Sequence, residues 1–167
     1  LEIVIYFIIF KIIKWILLLT FLSSPSWSET IIYDDLVYRN GLYYKKFTDV
    51  PFSGKITGQS DGNFKNGKIE GIWRVYNKNG QLTYKTEYKD GKKHGFDKVY
   101  YENGKLNTQL NYKNGNLHGL VKVFFENGQL LLKGYYEDGK ENGLWENFNV
   151  DGTLQKTEIY KDGWVVK

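Results

Sequence analysis

From residue 64 onward, aromatic side chains return every 12 residues: Phe64, Tyr76, Tyr88, Tyr100, Tyr112, Phe124, Tyr136, Phe148 and Tyr160. An Asn-Gly or Asp-Gly pair follows each of them. One residue intervenes at Asn66-Gly67, Asp90-Gly91, Asn114-Gly115, Asp138-Gly139 and Asp162-Gly163, and two at Asn79-Gly80, Asn103-Gly104, Asn127-Gly128 and Asp151-Gly152. The spacings alternate, so the true repeat is 24 residues and holds two strands and two turns. A fixed period of this size marks a repeat array. Asn-Gly and Asp-Gly are strong hairpin signals because both residues tolerate positive φ. A helical reading fails, since such a pair in every half repeat would break each helix.

Within each unit a glycine (Gly71, Gly95, Gly119, Gly143) precedes an apolar residue (Ile72, Phe96, Leu120, Leu144) and the first strand closes on an aromatic. Leu82, Leu106, Leu130 and Leu154 open the second strand, and Tyr88, Tyr112, Tyr136 and Tyr160 close it. Side chains two apart share a face of a strand. With Tyr76 opposite Leu82, the pattern predicts two apolar ladders on one face. One runs through Tyr76, Leu82, Tyr100, Leu106, Phe124, Leu130, Phe148 and Leu154, the other through Tyr88, Phe96, Tyr112, Leu120, Tyr136, Leu144 and Tyr160. Alternation places Trp73, Val75, Val99, Val121, Val123, Leu131, Tyr135 and Trp145 on the other face, mixed with Lys85, Glu87, Asp97 and Asn111. A single sheet is wetter on one side. This much apolar area on a second side therefore predicts a partner, with Trp73, Val121, Leu131, Tyr135 and Trp145 as its binding residues.

The flanks depart from the repeat. Tyr38-Arg39-Asn40-Gly41 carries the turn signature 26 residues before Phe64, out of phase with the 24-residue period. Leu42–Tyr44 and Phe52–Gly58 read as two more strands, so residues 29–63 are expected to form an irregular cap and residues 64–167 the array. Trp164–Lys167 is expected to supply a last short strand. Residues 1–28 are a different polymer. Leu1 to Leu22 is apolar except for Glu2, Lys11, Lys14 and Thr20. As one membrane helix it would place two lysines near the bilayer centre, at a cost of roughly 2.5–3.5 kcal/mol each. A signal beginning at Lys11-Ile12-Ile13-Lys14 avoids that cost: Trp15–Leu22 is the apolar region and Ser26-Trp27-Ser28 places cleavage before Glu29. Residues 1–28 are thus expected to be a signal peptide or a membrane anchor, and the protein to be periplasmic, envelope-bound or secreted. With no Met in the chain, Leu1 reads as a non-standard start or a fragment edge.

Composition narrows the chemistry. The absence of cysteine excludes disulfides, thiolate metal sites, Cys nucleophiles and a lipidated N-terminal Cys. The net charge of +4 comes from 23 basic and 19 acidic residues interspersed along the chain, which argues against nucleic acid as a partner. Seventeen per cent aromatics suit a thin sheet that must bury area through large flat side chains.

The units Gly71-Ile72-Trp73-Arg74-Val75-Tyr76 and Gly143-Leu144-Trp145-Glu146-Asn147-Phe148, each followed by Asn/Asp-Gly-x-Leu, resemble MORN repeats. The 24-residue form with Tyr-Lys-Asp-Gly-Lys-x-x-Gly is similar to the bacterial MORN-variant family, whose members often carry the label YwqK-family antitoxin. Asn40–Lys45 and Pro51–Lys55 resemble that family's N-terminal half repeat. The resemblance spans about residues 36–163. It implies an all-β, elongated antiparallel meander of hairpins that contacts protein or lipid, and it implies no reaction. Asp97 and Val121 stand where the family's first strand has Trp, so the tryptophan row is incomplete.

Candidate chemistry is sparse. His94 and His118 share a repeat position, but equivalent positions on alternate strands lie about 9–10 Å apart, too far for one metal shell at about 2.0–2.1 Å. Asp90, Asp138, Asp151 and Asp162 precede turn glycines, where Asp serves the backbone. The chain carries no Ser-His-Asp order, phosphate loop or zinc motif. No enzyme activity, metal, cofactor or small-molecule substrate is expected. Arg74, Lys98 and Lys122 form a basic row on successive first strands, with Glu146 next in line. Flanked by aromatics, they could hold an anionic phospholipid headgroup or an acidic polymer; alternatively, their stems cover tyrosine rings while the charged heads stay in water. The expected function is an exported protein-binding or scaffold module. Lipid or envelope-polymer binding and neutralisation of a toxin are the alternatives.

Overall fold

Two kinds of turn, used alternately, fold the repeats into one long meander. The computed structural model describes residues 30–167, and the expected signal or anchor lies outside them. The cap comprises β1 (Thr30–Ile32), a 3-10 turn at Tyr33–Asp35, β2 (Leu36–Arg39), β3 (Leu42–Lys45) and β4 (Gly54–Thr57). The array follows as β5 (Ser60–Lys65), β6 (Lys68–Tyr76), β7 (Leu82–Lys89), β8 (Lys92–Tyr100), β9 (Leu106–Lys113), β10 (Asn116–Leu117) and β11 (Gly119–Phe124). It continues through β12 (Leu130–Glu137), β13 (Lys140–Glu141), β14 (Gly143–Phe148), β15 (Leu154–Lys161) and β16 (Trp164–Val165). Fourteen strands make one sheet, in the order β1-β4-β5-β6-β7-β8-β9-β11-β12-β14-β15-β16, with β10 on β9 and β13 on β12. All pairings in it are antiparallel except β1 with β4, and β2–β3 form a separate hairpin.

The turn classes differ in backbone chemistry. Asn66-Gly67, Asp90-Gly91, Asn114-Gly115, Asp138-Gly139 and Asp162-Gly163 have positive φ at both residues, which matches the right-handed twist of the strands they join. In the longer turns only the glycine does. Asn77 to Gln81 separate the paired residues Tyr76 and Leu82, and Gly80 N–H donates to the Asn77 carbonyl at 2.9 Å. The Asn77 Oδ1 accepts from the backbone N–H of Asn79 and Gln81. A bulge accompanies each such turn, at Val75/Tyr76, Val99/Tyr100, Val123/Phe124 and Asn147/Phe148.

Successive units are stitched at the short turns. Gly91 N–H donates to Ile69 O, Gly115 to Lys93 O, Gly139 to Leu117 O and Gly163 to Glu141 O, at 2.7–3.0 Å. The main apolar cluster lies at the capped end, where Leu36, Phe52, Ile56, Phe64 and Trp73 pack together. The β2–β3 hairpin is held over it by Tyr43 N–H donating to Gly67 O and Phe52 N–H to Tyr43 O.

Candidate functional site

Cross-strand pairing assigns the faces, and it corrects two of the expectations above. Trp73 opposes Thr86, Thr86 opposes Asp97, and Asp97 opposes Leu110. Val121 opposes Gly134, and Trp145 opposes Glu158. These residues form one row down the middle of the sheet, and most of it is closed: Trp73 is 9% exposed, Val121 4%, Trp145 7% and Asp97 5%. Flanking rings cover it. Trp73 meets Phe64 edge-on at 5.6 Å, and Trp145 sits between Tyr136 at 5.1 Å and Tyr160 at 5.7 Å. The second ladder therefore does not lie on one face. Gly71, Gly95, Gly119 and Gly143 oppose Tyr88, Tyr112, Tyr136 and Tyr160, so these tyrosines lie on the tryptophan side. Ile72, Phe96, Leu120 and Leu144 point the other way. The physical reason is the bulge beside each long turn: its extra residue reverses the alternation between Leu82 and Tyr88, Leu106 and Tyr112, Leu130 and Tyr136, and Leu154 and Tyr160.

The predicted five-residue binding patch is divided in the same way. Trp73, Val121 and Trp145 are buried structural residues. Tyr135 opposes Leu120 on the opposite face and is exposed, while Leu131 occupies the bulge between the paired residues Leu130 and Leu132. Each tryptophan needs a glycine beneath it. A Cβ on Gly62 would lie 2.5 Å from the Trp73 ring, and one on Gly134 would lie 2.2 Å from the Trp145 ring. Each pair is 11 residues apart, a signal legible in the chain but not used in reading it.

Where Trp is replaced by Asp97, the row becomes polar. The Asp97 carboxylate accepts from Thr86 Oγ1 at 2.7 Å and from Lys93 Nζ at 2.5 Å, and Lys93 lies 4.9 Å over the Tyr112 ring. Burial alone would lower the Lys93 pKa, but the hydrogen bond and charge of Asp97 outweigh it and hold the ammonium above its ordinary value. Burial is also the main cause of the raised Tyr88 phenol, opposed by Lys93 and reinforced by Asp97. This buried pair satisfies the side chains that fill a missing indole's place.

The basic row lies on the opposite face and is longer than expected. Arg74 opposes Lys85, Lys85 opposes Lys98, Lys98 opposes Gln109, Gln109 opposes Lys122, and Lys122 opposes Lys133. Lys85 and Lys133, which join it, were not among the expected residues. Carboxylates neutralise only its ends: Arg74 pairs with Asp61 at 3.0 Å and Lys133 with Glu146 at 2.8 Å. Lys85, Lys98 and Lys122 make no ion pair among the described residues. Lys85 and Lys98 share the Phe96 ring, each 5.5 Å from its centroid. Beside this row, Leu120 opposes Tyr135 and Leu144 opposes Ile159, and all four are exposed.

The histidines serve the turns. Asn114 N–H donates to His94 Nδ1 at 3.4 Å and Asp138 N–H to His118 Nδ1 at 3.5 Å, just as Asp90 N–H donates to the Glu70 carboxylate. No group of three or more His, Cys, Asp or Glu suited to a metal occurs among the described residues. At the capped end, a recess of about 440 Å³ opens between the β2–β3 hairpin and the first array turns, with Tyr38, Tyr43 and Tyr88 on its walls.

This geometry is that of a regular hairpin array, and part of the chain matches a known repeat. Residues 69–90, 98–114 and 117–138 each match the MORN repeat variant. The matches take in the whole basic row but only part of the central row, leaving out Asp97 and Trp145. No curated protein matches the chain. Among solved structures, it is similar to a mutant of S. aureus TarM in complex with fondaparinux, alpha-GlcNAc-glycerol and UDP (16% identity, TM-score 0.37). It is also similar to TarM alone (15% identity, TM-score 0.37). The first alignment covers 53% of this chain and 18% of that one, the second 54% and 18%. A TM-score of 0.37 is too low to inform fold or function.

Proposed function

We propose that this chain is an exported, non-enzymatic MORN-type binding module that docks an acidic protein surface on its lysine face. The observation that carries this reading is the run of Lys85, Lys98 and Lys122 without carboxylate partners among the described residues, with Lys85 and Lys98 directly opposite each other. Like charges directly opposed on a sheet destabilise it, and an anionic partner would turn that cost into affinity. Burial of Trp73 and Trp145 moves the expected interface from the tryptophan side to this one. A toxin-neutralising role, which the family's label suggests, would be a special case of the same docking.

A second reading, an anionic membrane surface, is favoured by the exposed Leu120, Tyr135, Leu144 and Ile159 beside the lysines, where apolar side chains would enter the interface. The test compares wild type with Lys85→Gln/Lys98→Gln/Lys122→Gln. Pull-down from native envelope and sedimentation with phosphatidylserine vesicles are run side by side, each at low and high salt. The protein reading expects a defined partner that the triple variant loses and vesicles that neither protein binds. Salt-sensitive vesicle binding that the triple variant loses would establish the membrane reading instead. If the triple variant bound everything that wild type binds, both would fail.

A further inference from the structure

The recess at the capped end has a chemistry distinct from that of the lysine face. At about 440 Å³ it lies within the range of roughly 300–1,000 Å³ typical of small-molecule sites. Tyr38, Tyr43 and Tyr88 line it together with Lys68 and Lys92, and Asp90 is the only carboxylate among its lining residues. From this arrangement we infer that the recess binds a saccharide bearing a carboxylate.

Tyrosine rings give flat apolar faces that suit the C–H faces of a pyranose, and their hydroxyl edges can donate to and accept from sugar hydroxyls. The rings are preset. Tyr38 leans on Tyr43 at 4.8 Å, Tyr43 packs on Phe64 at 5.0 Å, and the Tyr43 hydroxyl lies 3.1 Å from that of Tyr33. A preset site loses less freedom when it is filled. Yet Tyr38 remains largely exposed, its ring tilted against that of Tyr43. The charged lining residues decide the sign of the ligand. Two lysines against one aspartate disfavour a quaternary ammonium, which three tyrosines alone would otherwise suit. Lys65 opposite Lys68 and Lys89 opposite Lys92 add two cations nearby, against one further carboxylate, that of Glu70, which accepts from the Asp90 N–H. The turn glycine Gly41 brings bare backbone to the recess, with nothing within 4 Å of where its Cβ would stand, so a ring can approach there without meeting a side chain.

The experiment titrates the isotope-labelled full chain with a disaccharide of glucuronic acid and N-acetylglucosamine, with the neutral disaccharide of N-acetylglucosamine, and with choline, following backbone amides by NMR. The acidic disaccharide should shift the Tyr38, Gly41 and Gly91 amides at millimolar concentration or below and bind more tightly than the neutral one. Tyr38→Ala should weaken it by about tenfold at unchanged Tm, the loss of one stacking face. Lys68→Gln/Lys92→Gln should abolish the preference for the acidic sugar. Should Tyr38→Ala not fold, the lysine variant decides alone. Absence of shifts with the acidic disaccharide, equal affinity for the neutral one, or shifts with choline only would overturn the assignment.

Discussion

Adding one methyl group at Gly134 tests how the central row is packed. Gly134 is buried in β12, and it is not among the glycines held at positive φ. On backbone grounds Gly134→Ala should therefore be neutral or should stabilise by about 0.4–1 kcal/mol. The row predicts the opposite sign. The new Cβ would lie 2.2, 2.4 and 2.5 Å from three atoms of the Trp145 indole, where ordinary contact begins at 3.4 Å. The indole must move by more than an ångström, and Tyr136 and Tyr160 flank it. Overpacking of this kind costs about 1–3 kcal/mol, and complete loss of the Trp145 packing sets a ceiling near 3–5 kcal/mol. Urea unfolding followed by far-ultraviolet circular dichroism measures it. The control is Trp145→Val, which recreates the smaller pairing of Val121; in that background Gly134→Ala should cost nothing, giving a coupling of about 1–3 kcal/mol. If Gly134→Ala were as stable as wild type, the row would not be packed as described.

Three further outcomes can be measured. Lys93→Met leaves the Asp97 carboxylate buried with Thr86 alone and should cost about 3–5 kcal/mol, with Lys93→Met/Asp97→Leu recovering much of it, by chemical denaturation. Stability should fall on the alkaline side: Lys93, Tyr88 and Tyr136 all titrate higher when folded than their ordinary values of 10.5, 10.0 and 10.0. Each therefore contributes stability that is complete below those values and is lost as pH rises through the folded pKa, so melting temperature should be flat to about pH 9 and drop above pH 10. Mass spectrometry of native protein should find an N-terminus at or within a few residues of Glu29, whereas an intact N-terminus in the membrane fraction would identify an anchor.

Much of this fold could be read from the chain because its signals are local. Asn-Gly and Asp-Gly set the hairpins, and the pairing of Tyr76 with Leu82 follows from the loop length between them. The faces could not be read by alternation alone. Gly71 to Gly143 adopt positive φ within or at the start of their strands, and the long-turn bulges add a residue to β7, β9, β12 and β15. Each breaks the simple period of two. Thus Lys85, placed beside Trp73 by parity, joins Arg74 instead, and Tyr135 leaves Trp145 for Leu120. The site was legible only in part. Arg74, Lys98 and Lys122 could be seen from their 24-residue spacing, but Lys85 and Lys133 enter through cross-strand register. The recess at Tyr38 and Tyr88 depends on how the hairpin cap folds back, which no repeat pattern specifies.

The tryptophan side is the packed interior of the array, and we propose the lysine side as its binding face. Hydroxyl-radical footprinting of the free full-length protein, read by mass spectrometry, tests it most directly. Trp73 and Trp145 should be strongly protected, while Trp164, 78% exposed, should oxidise rapidly. Tyr135 and Leu120 should be modified as exposed residues. Oxidation of Trp73 and Trp145 at the rate of Trp164 would contradict the account, because it would leave the tryptophan side open as the binding face.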